Sequence, residues 1–410
     1  MSRIYFDHSA TTPVDKQVLK AMTPYFGEQF GNASSIHSFG QAAARAVDKA
    51  RRQVAAVLNC QPEEIIFTSG ATEANNLAIK GLIKGLALKG VNQPHIITTA
   101  VEHDAVIEPC QELEREKLAR VTYLPVKANG MIEIEALEKA ITDETALVSV
   151  MYVNSEVGVI EPVKEIGKII KKINERRVAD WEKKRVAERG PKPQLIYFHS
   201  DTTQAINFLD CDMQSLHLDM LSLSAHKIYG PKGVGALAVR KDTPLVALLR
   251  GGHHEKNLRS STLNVPGIVG LGEAIELAKN DREANNQKIK EARDYLVERI
   301  TKEIPEIVCN TDIANSSPAH AHFSFLGAEG ESILLALDMD AGIAVSTGSA
   351  CASNTLKASR VLTAMGIKQE DTHGAVRFTL GKANTKADVD KLMEHLPGIV
   401  KKFRDMAPEY

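Results

Sequence analysis

Residues 220–240 read MLSLSAHKIYGPKGVGALAVR, and this stretch decides the fold class. Two short apolar runs, MLSLS (220–224) and the hairpin-like GVGALAVR (233–240), flank a loop that carries Lys227. Five similar runs precede them: EIIFT (64–68), HIITTA (95–100), RVTYLPV (120–126), ALVSVMYV (146–153) and LIYFHSD (195–201). Ala-rich helical patterns fill most of the intervals between these runs. The alternation predicts an α/β protein with a mainly parallel seven-stranded sheet covered by helices.

The pattern changes near residue 260, where SSTLNVPGIVG (260–270) leads into a long charged helical pattern. Beyond it the chain has fewer apolar strand patterns. A chain of 410 residues has room for about two domains. We therefore predict a large domain of residues 16–262 and a smaller α/β domain made of residues 1–15 and 263–410.

The composition excludes several classes of partner and site. Lys and Arg total 50 against 52 Asp and Glu, and a net charge of -2 attracts neither nucleic acid nor an anionic membrane. No apolar run reaches the roughly 18 residues of a membrane span, and the first residues, MSRIYFDHSATT, do not have the basic-then-apolar pattern of a leader. The 5 cysteines are odd in number and never in CxxC spacing, so neither a disulfide framework nor a metal site is indicated. We expect a cytoplasmic protein.

Ligands of open α/β sheets bind beyond the carboxyl ends of the strands, so the residues that follow each strand are the candidate site. Four such segments carry polar side chains: TSGATEANN (68–76), AVEHDAV (100–106), HSDTTQA (199–205) and SLSAHKIYGPKG (222–233). In the first, Ser69-Gly70-Ala71-Thr72 precedes a helix pattern and is either a phosphate site or a plain helix cap. The glycine spacing fits neither a P-loop nor a dinucleotide fingerprint, which disfavours nucleotide-binding folds.

The other segments supply ionisable groups, each with a structural alternative. A lone histidine such as His103 is more often structural than catalytic, and Asp201 could simply cap a helix. Lys227 directly follows an apolar strand, where its charge would be desolvated unless the lysine is neutralised or used. Schiff-base formation with an aldehyde is such a use, and a plain surface-loop lysine is the structural alternative. Ser224 and His226 have the spacing to reach a phosphate. A phosphate cradle, a ring, a carboxylate and a reactive lysine together match one cofactor, pyridoxal 5'-phosphate (PLP).

With these residues in view, the sequence resembles the PLP-dependent cysteine desulfurases of the NifS and IscS type, which are class V aminotransferases of fold type I. The resemblance covers nearly the whole chain. It rests on YFDHSATTPVD (5–15), TSGATEANNLAIKG (68–81), EHDAV (102–106), MYVNSEVGVI (151–160), HSDTTQA (199–205), LSAHKIYGPKGVGAL (223–237), RSSTLNVPGIVG (259–270), STGSACAS (346–353) and RFTLG (377–381).

The resemblance assigns roles to these residues. It implies that Lys227 forms the Schiff base, that His103 stacks on the cofactor ring and that Asp201 pairs with the ring nitrogen. Asn154 and Gln204 are expected to contact ring substituents, Gln204 at the phenolic oxygen. The implied phosphate ligands are Ala71, Thr72, Ser224, His226 and, from the other subunit of a homodimer, Thr262.

The sulfur chemistry is expected at Cys351, in STGSACAS (346–353), which resembles the persulfide cysteine of the first desulfurase group. Its small neighbours suit a thiol that must travel, and the same thiol is a candidate transient iron–sulfur ligand. Arg377 resembles the residue that grips the substrate carboxylate. Asn32 is expected at the mouth of the site. The remaining cysteines lie in helix or strand patterns and are expected to be structural: Cys60, Cys110, Cys211 and Cys309.

The expected reaction moves sulfur from L-cysteine to Cys351, leaves alanine, and passes the persulfide to an iron–sulfur scaffold protein or another acceptor. His103 is expected to carry protons. A selenocysteine lyase or an aminotransferase would use the same cofactor site, although an aminotransferase does not need Cys351. A subunit that has lost catalysis is a further alternative, but Lys227 and Asp201 are both present. The sequence departs from the family pattern at His8, where another aromatic residue is usual, and in GGHHE (251–255).

Overall fold

The computed structural model describes residues 3–184, 190, 192–347 and 358–406. The strands are β1 (Ile4–Tyr5), β2 (Ile65–Thr68), β3 (His95–Thr99), β4 (Arg120–Leu124), β5 (Thr145–Ser149), β6 (Tyr197–Asp201), β7 (Met220–Ser224), β8 (Gly235–Val239), β9 (Ile307–Cys309), β10 (His320–Phe325), β11 (Ile343–Ala344) and β12 (Ala375–Thr379). The α-helices are α1 (Lys16–Met22), α2 (Ser38–Leu58), α3 (Ala71–Asn76), α4 (Leu82–Leu88), α5 (Asp104–Arg115), α6 (Ile134–Ala140), α7 (Val163–Glu182), α8 (Val265–Asn280), α9 (Arg282–Glu303), α10 (Gly330–Ala336), α11 (Arg360–Ala364), α12 (Gln369–Thr372) and α13 (Lys386–Met406).

The large sheet has 7 strands in the order β2-β8-β7-β6-β5-β3-β4. Strand β8 runs antiparallel to both of its neighbours, and the other pairs are parallel. The predicted α/β class and mainly parallel seven-stranded sheet are therefore confirmed. Strands β3, β5, β7 and β8 are buried along their whole length, because helices cover both faces of the sheet.

Two strands end earlier than the sequence pattern predicted. The run 120–126 leaves the ladder after Leu124, where Pro125 lacks the N–H that a ladder bond requires. The run 146–153 leaves it after Ser149, and Val153 instead forms an isolated bridge with Ile160. This early end of β5 creates the loop that contributes Ser155 to the cleft described below.

Helices α2 and α8 pack against each other through small side chains on one face of the sheet. The buried residues of α2 recur at helical spacing, as at Ala43, Val47, Ala50 and Val54. A Cβ at Gly272 of α8 would lie 2.8 Å from the Cα of Ala50, so only glycine permits this approach. The pair forms a rigid support beneath the strands that carry the candidate site.

A second sheet of 3 strands, in the order β12-β10-β9, is antiparallel. Its core contains Phe323, Phe325 and Phe378, with buried residues of α9 and α13 packed against them. At the other end of the chain, β1 pairs in parallel with β11, so the first residues lie with the C-terminal part. Helix α8 packs into the core of the large sheet, whereas α9 contributes to the second core. The domain boundary at residue 262 stays a prediction.

None of the helices in the described ranges has the length and apolar character required to cross a membrane.

Candidate active site

A cleft of about 800 Å³ lies at the carboxyl ends of the strands of the large sheet. It is lined by residues that follow β2 and β3, by the last residues of β6 and β7, by the N-terminal segment 9–11 and by residues 358–361. The cleft brings together most of the predicted site residues, namely Ala71, Thr72, His103, Asp201, Gln204, Ser224, His226, Lys227 and Arg377.

One end of the cleft is built to receive an anion. Helix α3 begins at Ala71, and the N–H groups of a first helical turn have no partner within the helix. Gly70 precedes it, and a Cβ placed there would lie 3.7 Å from Ser224 Oγ. Helix α3 continues through a π-helical turn, Leu77–Gly81, into α4, so the helix axis extends well beyond its first turns. The backbone donors and the Ser224 hydroxyl therefore form a cradle for a phosphate group.

Asp201, the last residue of β6, is held by two hydrogen bonds. Its Oδ2 accepts from Asn75 Nδ2 at 2.7 Å, and its Oδ1 accepts from the Thr203 backbone N–H at 2.9 Å. These two donors fix the orientation of the carboxyl group. The side chain lines the cleft although the residue is only 7% exposed. A buried carboxylate at this position suits a cationic ring nitrogen.

Burial shifts the pKa of two titratable groups beside Asp201 toward their neutral forms. His199 is hydrogen-bonded to Ser149 Oγ at 2.8 Å and to Ser222 Oγ at 3.0 Å. Burial lowers the pKa of its imidazole to about 4. Complete burial raises the pKa of Glu102 well above its ordinary value, even though its Oε1 accepts from the Met151 N–H. Neither group competes with a ligand for the charge of Asp201.

Lys227 and Gln204 both bind the N-terminal segment. Lys227 Nζ donates to the backbone oxygens of Ser9 and Ala10, the latter at 2.7 Å. Gln204 Nε2 donates to Ser9 O at 2.9 Å and to Ser9 Oγ at 3.0 Å. His226 Nδ1 lies 3.1 Å from Thr11 Oγ1. The N-terminal segment therefore forms the wall of the cleft behind the lysine.

His226 carries no positive charge near neutral pH. Burial, with the neighbouring charges of Lys227 and Lys232, lowers the pKa of its imidazole to about 4. A neutral imidazole still binds a phosphate oxygen through an N–H. The positive charge at this end of the cleft comes instead from the lysine side chains.

His103 is positioned by the start of α5. It occupies the N-cap, and its Nδ1 accepts a hydrogen bond from the Ala105 N–H at 3.0 Å. In the neutral imidazole this assigns the proton to Nε2. The ring is exposed to the cleft. It is thus free to stack on a planar ligand and to exchange a proton at Nε2.

Arg377, on β12, is almost completely buried in the cleft wall. Its Nη2 donates to Asp7 Oδ1 at 2.7 Å and its Nη1 to Ser155 O at 2.9 Å. Its Nε, also buried, has no hydrogen-bond partner within the described part of the chain. The guanidinium therefore retains a free donor for an anionic ligand.

Three predicted site residues do not line the cleft. Asn154 is fully buried, with its Nδ2 bonded to Val101 O and its Oδ1 accepting from the Glu156 and Val157 N–H groups, so it shapes the loop that carries Ser155. Asn32 and Thr262 are exposed elsewhere. The predicted ligand contacts of Asn154, Asn32 and Thr262 stay predictions.

Cys351 lies outside the described residues, but both flanks of its segment lie at the cleft. Ser346 pairs with Arg377, whose N–H donates to Ser346 O at 2.6 Å. On the other side, Ser359 Oγ donates to Glu156 Oε2 at 2.6 Å. Arg360 forms an ion pair of 2.7 Å with Asp104. The segment that contains Cys351 therefore begins and ends beside the candidate site.

Three of the described cysteines are poor nucleophiles. Burial raises the pKa of the Cys60, Cys110 and Cys211 thiols to about 12, so these groups remain protonated near neutral pH. Cys309 lies on β9, away from the cleft. Cys60 and Cys211 lie in loops, not in the helix or strand patterns that the sequence predicted, because α2 ends at Leu58 and no strand forms between β6 and β7.

Sequence analysis gave no role to Asp7, Ser9 and Ala10, although all three reach the site. The signal was present in YFDHSATTPVD (5–15), which was recognised only as a family motif. Asp7 binds Arg377, and the carbonyl groups of Ser9 and Ala10 bind Lys227.

Comparison with known proteins agrees with this geometry. The family model described as aminotransferase class-V matches residues 4–181 and 182–392. Cysteine desulfurase IscS of Clostridium botulinum is 45% identical over 408 residues, which cover 99% of this chain and 96% of the relative. Cysteine desulfurase IscS of Dictyoglomus turgidum is 43% identical over 405 residues, 99% of this chain and 96% of the relative. A solved structure named NifS-like protein superposes with a TM-score of 0.86 at 35% identity, covering 98% of this chain and 100% of that one.

The chain therefore belongs to the class V aminotransferase family. Within that family its activity is that of a cysteine desulfurase, an enzyme that removes sulfur from L-cysteine and leaves alanine.

Proposed function

We propose that the cleft binds PLP and that Cys351 receives the sulfur of L-cysteine as a persulfide. The observation that carries the proposal is the convergence of the α3 cradle, Asp201 and Lys227 in one cleft. These residues fit the chemical groups of PLP in turn: the phosphate, the ring nitrogen and the aldehyde. The Asn75 and Thr203 donors hold the carboxyl group of Asp201 in place for a ring nitrogen.

When bound, PLP supplies an electron sink that stabilises negative charge at the substrate Cα. Asp201 keeps the ring nitrogen protonated. The ammonium-bearing side chain of Lys227 reaches the cleft from the wall formed by Ser9 and Ala10, and in its unprotonated form it removes the proton from the substrate Cα. Arg377 orients the substrate through its carboxylate.

Sulfur transfer is proposed to occur at Cys351. Its thiolate attacks the substrate sulfur, so that a new S–S bond forms on the enzyme while the C–S bond of the substrate breaks. His103 Nε2 exchanges the protons that the thiol loses and the product gains. The products are alanine and a persulfide on Cys351, which passes to an iron–sulfur scaffold protein or another acceptor. A reducing compartment such as the cytoplasm would keep this thiol free of disulfide formation.

An assay of the purified protein with PLP and L-cysteine tests the proposal. We expect equal amounts of alanine and transferred sulfur, the latter released as sulfide when a thiol reductant is added. Pyruvate or another keto acid as the main product would instead identify an aminotransferase or lyase. Selenocysteine as a much better substrate than cysteine would favour the selenocysteine lyase alternative.

Exposed apolar side chains near the start of the chain support a homodimer. Five large apolar side chains among the first 39 residues are exposed by 53–91%: Leu19, Phe26, Phe30, Ile36 and Phe39. Two of them are in contact, since the rings of Phe30 and Phe39 lie 5.6 Å apart. Large apolar groups clustered on a surface mark an interaction site. A second copy of the chain is the occupant that the predicted contribution of Thr262 requires.

Thr262→Ala should weaken PLP retention without changing the subunit fold, because we infer that the hydroxyl reaches the phosphate in the other subunit. Loss of one hydrogen bond to a charged group corresponds to about 1.5–3 kcal/mol, or roughly 10- to 100-fold in affinity. The measurement is PLP loss on dialysis, followed by absorbance, with sedimentation to establish the dimer. Thr301→Ala, which removes an exposed threonine of α9, is the matched control. A fully active monomer would exclude this role.

A further inference from the structure

The ion pair between Asp7 and Arg377 joins the two ends of the chain. The backbone around it is fixed by β12, since the Thr379 N–H donates to Phe6 O at 2.7 Å and the His8 N–H donates to Thr379 O at 3.2 Å. The two side chains are 18% and 6% exposed, and the Nη2–Oδ1 distance is 2.7 Å. Both partners are therefore held in place by backbone contacts as well as by their charges.

The other two nitrogen atoms of the guanidinium differ in their hydrogen bonding. Nη1 is used on Ser155 O, whereas Nε is buried without a partner in the described chain. A buried charged donor without an acceptor is rare and points to a ligand that supplies one. Because Arg377 lines the cleft, that ligand enters from the cleft.

The neighbouring titratable groups on the packed elements have pKa values shifted toward their neutral forms. Burial lowers the pKa of both His320 and His322 to about 3, which leaves the imidazoles neutral. Burial raises the pKa of Tyr5 to about 12 and also raises the pKa of Glu156. Asp7 is thus the countercharge in direct contact with Arg377 among the described residues.

We propose that Asp7 shares the Arg377 guanidinium with the substrate carboxylate and thereby sets both its orientation and its affinity. Asp7 holds Nη2 and Ser155 O holds Nη1, which leaves Nε as the guanidinium donor available to a ligand. The negative charge of Asp7 also repels the incoming carboxylate. The substrate therefore binds more weakly than it would to Arg377 without the charge of Asp7. Asp7 is a positioning and affinity-setting residue, and this role rests on the proposed binding of the substrate carboxylate by Arg377.

Two substitutions separate orientation from charge. Asp7→Asn keeps an oxygen that can accept from Nη2 but removes the repelling charge. Asp7→Ala removes both the accepting oxygen and the charge. For Asp7→Asn we expect the KM for L-cysteine to fall about three- to tenfold with kcat within about twofold of wild type, because one partly screened charge is removed. For Asp7→Ala we expect the KM to rise about tenfold, because the guanidinium loses its anchor.

Asp15→Asn is the matched control. Asp15 also belongs to the N-terminal segment and pairs with a lysine of the C-terminal part, Lys382, so the substitution makes the same change in net charge. Its side chain accepts from the Gln17 N–H at 2.8 Å and does not line the cleft. The KM of Asp15→Asn should equal that of the wild type.

A second measurement uses the protein without PLP. Phenylglyoxal modifies accessible guanidinium groups, and peptide mass spectrometry follows its reaction at Arg377. The rate should increase from wild type to Asp7→Asn to Asp7→Ala. A KM for Asp7→Asn equal to or above that of wild type, or equal rates of modification, would overturn the proposal. If the wild type makes no alanine from cysteine, the proposed function itself fails, and the phenylglyoxal rates still report on the ion pair.

Discussion

Lys227→Ala should reduce alanine formation from cysteine by at least about 10³-fold, since a positioned acid or base contributes on the order of 10²–10⁴ and the covalent attachment of PLP is lost as well. The effect should not come from a collapsed site. Asp201 keeps its Asn75 and Thr203 donors, and the α3 cradle does not involve the lysine. The variant should therefore still bind PLP, but without a covalent bond.

Borohydride reduction followed by peptide mass spectrometry measures the bond directly. The wild type should be yellow and carry the reduced cofactor on Lys227, and Lys227→Ala should carry none. Lys232→Ala is a suitable control, because Lys232 also lines the cleft but is not proposed to form the bond, so its label should remain on Lys227. A label on a different lysine in the wild type would show that Lys227 is not the lysine that binds PLP.

Cys351→Ser should reduce alanine formation by a similar factor, at least about 10³-fold, while leaving PLP binding unchanged. A serine hydroxyl is hardly ionised near neutral pH and is a poor nucleophile toward sulfur. The proposed PLP contacts lie in the described cleft and do not include residue 351. The colour of the protein should therefore be preserved, and cysteine should still bind.

The matched controls are alanine variants of Cys60, Cys110, Cys211 and Cys309. Burial keeps the first three thiols protonated, so each variant should retain turnover. Incubation with labelled cysteine, without reductant, followed by mapping of the persulfide by mass spectrometry identifies the acceptor thiol. Sulfur on another cysteine, or alanine formation by Cys351→Ser at the wild-type rate, would show that Cys351 is not the acceptor.

The sheet and the strand-end residues could be predicted from the sequence for one physical reason. Parallel strands place their carboxyl ends at a common edge, so polar residues after separate apolar runs meet there. Asp201 and Lys227 illustrate this, since both follow buried strands and both line the cleft. The sequence pattern could not predict where β5 ends, and Asn154 consequently lies inside a loop instead of on the cleft surface.

The contacts of the N-terminal segment could not be predicted in the same way. Lys227 is bound by backbone carbonyl groups of Ser9 and Ala10, which no side-chain pattern reveals. The pairing of Asp7 with Arg377 joins positions 370 residues apart, and their positions depend on the bridge between Asp7 and Thr379 of β12. Local periodicity contains no information about such a distant pair.

The contacts between the N-terminal segment and β12 have a consequence for synthesis on the ribosome. The wall behind Lys227 is among the first parts of the chain to emerge, whereas β12, which fixes it through Thr379, is among the last. Contacts of such high sequence separation form late in folding. A nascent chain can therefore build the large sheet while its reactive lysine still lacks the completed wall. Catalytic competence then coincides with release of the finished chain, and a prematurely terminated product that lacks β12 should fold in part but remain inactive.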